Sequence, residues 1–90
     1  TWHADGGFRC FARKPVRYPD LAFVRYGRLP DERVPPGHVR IPPDFAAEIT
    51  SPRDRVKKLE EKLLDYQDAG VRLVWVVHPE LRVTRVYRPG

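Results

Sequence analysis

The sequence has almost nothing that could cross-link it and no stretch long enough to span a membrane. Cys10 is its only cysteine, which excludes an internal disulfide and a zinc site built from cysteines. We expect Cys10 to be a small buried apolar residue. No run of about 18 apolar residues and no signal-peptide pattern is present. We therefore expect a cytoplasmic protein without membrane contact. Because the chain begins at Thr1 rather than Met, we also expect it to be a piece of a longer protein.

Several motifs that carry chemistry are also absent. The sequence has no glycine-rich loop that would cradle a phosphate and no interleaved basic and aromatic motif of the RNA-binding type. Its histidines, His3, His38 and His78, show no metal-ligand spacing, and we expect each to lie at the surface. Ser51 has no base nearby in the sequence. Carboxylates and lysines therefore remain as the candidates for chemistry.

Length and charge set further limits. Ninety residues make a single small domain, which we take to be residues 1–90. Most of the ten prolines cluster between Pro15 and Pro52, which favours short extended pieces and turns in that half. The net charge of +5 favours a polyanionic partner only weakly, because many small basic proteins bind no nucleic acid.

The hydrophobic pattern predicts five strands and one helix. Ser51 is the expected N-cap of the helix, with Pro52 at the first helical position. The helix should end near Ala69, with Gly70 as its terminator. Strands are predicted over residues 8–13, 21–24, 43–50, 71–77 and 82–88, and a long loop without regular structure over residues 27–42.

The order strand, strand, strand, helix, strand, strand predicts an α+β fold with a mixed sheet and one major helix. A strand–helix–strand passage such as residues 43–77 normally connects parallel strands. We expect the helix to cover one face of the sheet and nothing in this chain to cover the other. The strand over residues 71–77 should be central and buried on both faces, with Trp75 in the core. Residues 1–7 are expected to be a loose lead-in.

The strand over residues 43–50 carries two carboxylates on one face. Side chains alternate along a strand, so Asp44 and Glu48 share a face with Thr50. The two carboxylates are four residues and roughly 13 Å apart, too far to bind one metal ion. A partner for Glu48 must therefore come from a neighbouring strand, and Asp20 is the natural candidate. Asp44 is interpreted as a turn residue. Two carboxylates from adjacent strands suit Mg²⁺.

The helix supplies three lysines to be considered. Val56, Leu59, Leu63 and Tyr66 form its apolar stripe. At about 100° per residue, Lys62 lies at the edge of this stripe, beside Leu59 and Tyr66, and is best placed to lean over the sheet. The alternative is that Lys62 only extends along the edge of the stripe toward water. The other two lysines, Lys57 and Lys58, lie farther round, toward solvent.

Five stretches resemble the Uma-type restriction endonuclease family, which belongs to the PD-(D/E)XK nuclease superfamily. They are residues 17–24 (RYPDLAFV), 43–52 (PDFAAEITSP), 61–66 (EKLLDY), 69–71 (AGV) and 74–80 (VWVVHPE). No single motif is decisive, but their order and spacing together are fairly specific. The resemblance implies a restriction-endonuclease-like core and Mg²⁺-dependent DNA cleavage, with Mn²⁺ as an alternative cation.

The resemblance also implies roles for three residues. Asp20 matches the Asp of the superfamily's Pro-Asp motif, and Glu48 matches the acidic residue of its (D/E)XK motif. Thr50 stands where the superfamily usually has Lys. In this family the lysine is thought to have moved to the helix, and Lys62 matches that position. The implied catalytic residues are thus Asp20, Glu48 and Lys62, of which Asp20 and Glu48 would bind the metal.

Two departures from the family keep a second hypothesis open. Thr50 stands where the superfamily usually has Lys, and the family's N-terminal helix and opening strand have no counterpart in this chain. A further departure, His78 where the family commonly has Asp in an Asp-Pro turn, matters little. The first hypothesis is a metal-dependent DNA endonuclease domain. The second is a catalytically inactive remnant, or a DNA-binding or structural module of the same fold. DNA is the expected partner, and a homodimer is left open.

Overall fold

The computed structural model describes residues 2–3, 7–29, 33 and 37–88. Among these residues, no helix is both long and apolar enough to cross a membrane. The strands are β1 (Trp2–His3), β2 (Phe8–Arg9), β3 (Val16–Arg17), β4 (Leu21–Phe23), β5 (Phe45–Ile49), β6 (Leu73–His78) and β7 (Val83–Tyr87), and the helix is α1 (Val56–Asp68).

Five of the strands form one mixed sheet in the order β1-β4-β5-β6-β7. β5 and β6 are parallel and are connected through α1, whereas all other neighbours are antiparallel. The remaining strands, β2 and β3, pair separately. The predicted α+β class, with a mixed sheet and one major helix, is confirmed. The carboxyl ends of β5 and β6 therefore lie at the same edge of the sheet as the beginning of the antiparallel β4.

α1 packs against one face of the sheet, and the hydrophobic core lies between them. Tyr66 of the helix is fully buried, and so are Ala46 of β5 and Val76 of β6. Leu59 and Leu63 pack against this cluster as partly buried residues. Full burial of a large apolar side chain contributes roughly 1.5–3 kcal/mol. This packing fixes the direction in which the residues beside Tyr66 point.

The expectation that β6 is buried on both faces, with Trp75 in the core, is wrong. Trp75 is 42% exposed and Ile49 is 58% exposed, and both belong to the face that α1 does not cover. The ring of Trp75 meets that of Phe45 edge to face, with centroids 5.4 Å apart. Only the alternate residues, Val74 and Val76, are buried. One helix shields one face, so a continuous apolar run here does not indicate burial on both.

The helix begins four residues later than the Ser-Pro signal indicates. Arg55 occupies the N-cap position without a side-chain capping bond, so the prediction of Ser51 as N-cap and Pro52 as first helical residue is wrong. Ser51 N–H donates to Asp54 Oδ2 at 2.8 Å, and Asp54 N–H donates to Ser51 O at 3.0 Å. These reciprocal bonds close a separate turn before the helix. The predicted end is confirmed, because Gly70 follows the C-cap with φ of +82°.

The N-terminal half contains shorter strands than predicted. The strand predicted over residues 8–13 is limited to β2, because residues 12–15 bend and return the chain as β3. Part of the predicted lead-in, β1, pairs instead with β4. In the predicted loop over residues 27–42, residues 30–32 and 34–36 lie outside the described residues. The described remainder holds no helix or strand, only a bridge from Val39 to Phe8.

Cys10 is partly buried beside the core, close to the expected small apolar role. Its burial raises the pKa of the Cys10 thiol to about 11, so the thiolate is scarce at neutral pH and the residue is not a nucleophile.

Candidate active site

Glu48 is a carboxylate in the middle of the helix-facing surface of the sheet. It is 4% exposed, so its charge needs partners. Both come from α1, one turn apart. Lys62 Nζ donates to Glu48 Oε1 at 2.8 Å, and Tyr66 Oη donates to Glu48 Oε2 at 2.7 Å. Residues four apart lie on one side of a helix, so Lys62 and Tyr66 reach the same carboxylate.

Burial is the strongest influence on the protonation of Glu48. Burial raises the pKa of Glu48, the hydrogen bonds from Lys62 and Tyr66 oppose that rise, and the charge of Asp20 adds to it. The net result is a pKa above the ordinary value of a glutamate. A cation placed beside the carboxylate would favour its ionised form. A positive charge bound beside Glu48 would therefore offset the cost of burying its ionised carboxylate.

Asp20 lies beside Glu48 because of the register between β4 and β5. Leu21 is opposite Ala47 in this antiparallel pair, so Asp20 falls at the end of β5. Its Oδ2 accepts a hydrogen bond from Ile49 N–H at 2.7 Å, which fixes the carboxylate next to the residue that follows Glu48. Asp20 is exposed and contacts the same cleft as Glu48. The structure therefore brings Asp20, Glu48 and Lys62 together.

Asp44 lies apart from this group, as its spacing predicts. Its Oδ2 accepts hydrogen bonds from Arg25 N–H and from Arg28 Nη1, each at 2.7 Å. Burial alone would raise the pKa of Asp44, but the bonds from Arg25 and Arg28 outweigh it and lower the pKa. Asp44 is thus a structural residue that ties the entry of β5 to the chain after β4.

Thr50 carries no ammonium group, and its side chain bonds to the end of β6. Its Oγ1 is 2.9 Å from His78 Nδ1 and donates toward Val77 O at 3.3 Å. These bonds connect the chain after β5 to the end of β6. Lys62 on the helix is therefore the residue that supplies a positive charge to Glu48.

Asp20, Glu48 and Lys62 line a cleft of about 450 Å³ between the edge of the sheet and the start of α1. Its walls are rich in cations. Arg55 and Lys58 come from the beginning of the helix, and Lys14 and Arg17 come from the bend between β2 and β3 and from β3. The cleft thus combines the acidic pair Asp20 and Glu48 with a surround in which cations outnumber the further carboxylates, Asp54 and Glu61, and such a surround is suited to a phosphate-bearing ligand.

Asp65 anchors one wall of the cleft, and no motif or spacing in the sequence indicates this role. Its side chain has no exposed surface. It accepts four hydrogen bonds: from Arg13 N–H and Nη1 at 3.0 and 3.2 Å, from Lys14 N–H at 3.2 Å and from Arg17 Nε at 2.8 Å. Burial alone would raise the pKa of Asp65, but these bonds, led by that of the Arg13 backbone, lower it. The partners are some fifty residues away in sequence, so no local spacing predicts them.

The carboxylates of the cleft decide whether a divalent cation could bind there. The part of the chain that the structure describes contains no group of three or more His, Cys, Asp or Glu side chains that could hold a metal. Mg²⁺, however, is commonly bound by only one or two carboxylates, with water and phosphate oxygens completing its shell. Asp20 and Glu48 are such a pair of hard oxygen donors, so the residues fit Mg²⁺ together with a phosphate substrate.

Comparison with known proteins shows the fold and the family of this chain. A solved structure of a "putative nuclease belonging to DUF820" from Anabaena variabilis ATCC 29413 has the same fold, with a TM-score of 0.77 and 24% sequence identity. The likeness covers 98% of this chain and 49% of that chain, so this chain spans about half the length of that protein. A comparison with curated protein sequences finds none that matches. The model of the Uma2 family, "putative restriction endonuclease", matches residues 3–90, and the chain therefore belongs to the Uma2 family.

Proposed function

We propose that this chain carries the active site of a Mg²⁺-dependent DNA endonuclease of the PD-(D/E)XK type, with Mn²⁺ as an alternative cation. The observation that supports this function is the contact of Lys62 with Glu48 at 2.8 Å, beside Asp20, in the wall of a basic cleft. Two carboxylates and one ammonium group are the parts that phosphodiester hydrolysis needs, namely a cation site and a stabiliser of developing negative charge.

Each residue has a distinct role in this proposal. Asp20 and Glu48 would hold the cation, and a bound Mg²⁺ would polarise the phosphate and lower the pKa of its water. Tyr66 keeps one oxygen of Glu48 oriented by a hydrogen bond at 2.7 Å. Lys62 places its charge where the scissile phosphate would lie and stabilises the negative charge that develops there.

DNA is the proposed substrate because the cleft offers positive charge that is not neutralised. Lys14, Arg55 and Lys58 line it, and none of them forms an ion pair with another residue that the structure describes. Unpaired lysines and arginines that contact phosphates release counterions, which makes binding favourable and dependent on salt.

A calorimetric titration with Mn²⁺ tests the assigned roles. The wild-type chain should give binding heat, and Asp20→Asn should lose it because one of two carboxylate ligands is gone. Lys62→Gln should keep the heat, because the ammonium group that competes for Glu48 Oε1 is removed. Both variants should lose nicking of supercoiled DNA by roughly 100-fold or more.

The titration also separates the two hypotheses. Equal heat in wild type and Asp20→Asn would remove Asp20 from the metal site. Absence of heat in the wild type, together with salt-sensitive DNA binding and no nicking in Mg²⁺ or Mn²⁺, would instead identify an inactive remnant that binds DNA. Thermal unfolding of each variant checks that the fold is retained.

Substitution of Lys58 tests the basic wall of the cleft. Lys58→Ala should weaken duplex binding and should reduce the slope of log K against log salt by about 1, the value for one phosphate contact. Lys57→Ala is the matched control, because Lys57 is equally exposed on the same helical turn but does not line the cleft. Equal slopes for the two variants would mean that DNA does not enter the cleft along α1.

A further inference from the structure

Arg17 is a buried cation whose donors are only partly used. Its side chain is 8% exposed, and its Nε donates to Asp65 Oδ2 at 2.8 Å. Among the residues that the structure describes, neither Nη group has an acceptor within hydrogen-bond distance. A guanidinium group carries five N–H donors, and donors buried without acceptors are costly. Arg17 therefore has an unmet requirement for an anionic acceptor.

The position of Arg17 indicates where that acceptor would lie. Arg17 is one of the residues that line the cleft, together with Asp20, Glu48 and Lys62. With Nε committed to Asp65, the Nη groups are the donors left to face it. The guanidinium group of Arg17 also lies close to the buried side chains of Glu48 and Tyr66. Burial and Glu48 raise the pKa of Tyr66, and the charge of Arg17 opposes this rise.

Asp65 positions the guanidinium group of Arg17 but uses only its Nε donor. The carboxylate of Asp65 is shared by the side chains of Arg13 and Arg17 and by the backbone N–H groups of Arg13 and Lys14, so its charge is not reserved for Arg17. The bond to Nε fixes the plane of the Arg17 guanidinium and leaves its outer edge available. Such an edge matches two oxygens of a phosphate, which a lysine cannot contact in the same paired way.

We propose that Arg17 binds a backbone phosphodiester of DNA in the cleft through its two Nη groups, with Asp65 holding the guanidinium in place. The identity of the ligand rests on the proposed nuclease function. The contact itself does not depend on cleavage and is measurable without a divalent cation.

The test is binding of a fluorescent duplex with 5′-hydroxyl ends, measured by anisotropy in EDTA. Such a duplex offers only internal phosphodiesters and is not cleaved. Arg17→Lys keeps the charge, and Arg17→Gln keeps one N–H donor for Asp65. Both should bind roughly ten- to a hundredfold more weakly than wild type, the range expected for a lost hydrogen bond to a charged group. Arg28→Lys is the matched control, because Arg28 also donates to a carboxylate, Asp44, but does not line the cleft, and it should bind within about twofold of wild type.

The outcomes distinguish this inference from the proposed function. If both Arg17 variants are folded and bind like wild type, or if wild type does not bind the duplex, the inference is overturned. If the Arg17 variants bind weakly but wild type cleaves no DNA in Mg²⁺ or Mn²⁺, the inference stands and the nuclease function fails. If wild type cleaves and Arg17→Lys binds normally, the function stands and the inference fails. Thermal unfolding of both variants separates loss of contact from loss of fold.

Discussion

Glu48→Gln is expected to abolish Mg²⁺-dependent nicking of duplex DNA, with a loss of roughly 100- to 1,000-fold or more. Gln has the shape of Glu and can still accept a hydrogen bond from Lys62 while its amide meets the Tyr66 hydroxyl. What it cannot do is offer a negative charge to a cation. The variant therefore removes the proposed metal ligand and leaves the packing at this buried position in place. The measurement is the rate of conversion of supercoiled plasmid to nicked circles.

The same substitution should not reduce stability at neutral pH. The pKa of Glu48 is raised in the folded chain, chiefly by burial. A raised pKa means that stability is fully present below the unfolded pKa, near 4.3, and falls as pH rises through the folded value. Burial thus disfavours the ionised form of Glu48 in the folded chain, and a neutral Gln avoids that cost. Urea unfolding at pH 7 should give a free energy for Glu48→Gln at least equal to that of wild type.

A matched control is available in the same cleft. Glu61 also lines it but is exposed, and its side chain forms no hydrogen bond or ion pair with another residue that the structure describes. Glu61→Gln changes the cleft charge by the same amount, so it should retain cleavage close to wild type. Normal nicking by folded Glu48→Gln, or an equal loss in both variants, would contradict the role assigned to Glu48.

The geometry at Glu48 follows from short periodic patterns in the sequence. The rise of about 3.3 Å per residue along β5 separates Asp44 from Glu48 and directs attention to the neighbouring strand β4, which Asp20 directly precedes. The 3.6-residue period of α1 places Lys62 beside Tyr66, and this angle does not depend on where the helix begins. Both arguments survive the wrong N-cap at Ser51, because they use relative spacing within one element.

What the sequence could not predict depends on contacts between distant segments. Asp65 lies off the apolar stripe of α1 and is buried only because the bend between β2 and β3 folds against it. The role of Arg17 follows from that contact. Trp75 was assigned to the core because its strand is apolar throughout, but exposure depends on which face a separate element covers. The bonds between Ser51 and Asp54 close a turn at the same residue spacing that a helix cap uses, so the sequence pattern does not distinguish the two.

The carboxylates of Glu48 and Asp65 show how one helix serves two purposes. Each is almost fully buried, yet their pKa values move in opposite directions. Asp65 receives four donors, two of them from backbone N–H groups, and is stabilised in its charged form. Glu48 receives two donors and faces a second carboxylate, Asp20. The first arrangement stabilises the fold, whereas the second stores an electrostatic cost that a bound cation would relieve.

Asp65→Ala is expected to be the most destabilising single substitution proposed here for the fold. It leaves the buried Arg17, and the backbone N–H groups of Arg13 and Lys14, without their acceptor. Removal of one partner of a buried pair typically costs about 3–5 kcal/mol. Small domains have total stabilities of roughly 5–15 kcal/mol, so a large part of the folding free energy should be lost. Urea unfolding at pH 7 measures the difference.

Acid dependence and a neighbouring residue make this prediction specific. The pKa of Asp65 is lowered in the folded chain, so its contribution is present above the unfolded pKa, near 3.9, and is lost as pH falls through the folded value. The difference in unfolding free energy between wild type and Asp65→Ala should therefore narrow below about pH 4.

Asp68→Ala is the control, because Asp68 also pairs with Arg13, at 2.7 Å, but its side chain is 56% exposed. Exposed pairs contribute about 0–1 kcal/mol. Equal destabilisation by the two substitutions, or a gap that does not change with pH, would show that Asp65 does not stabilise the fold through its charge.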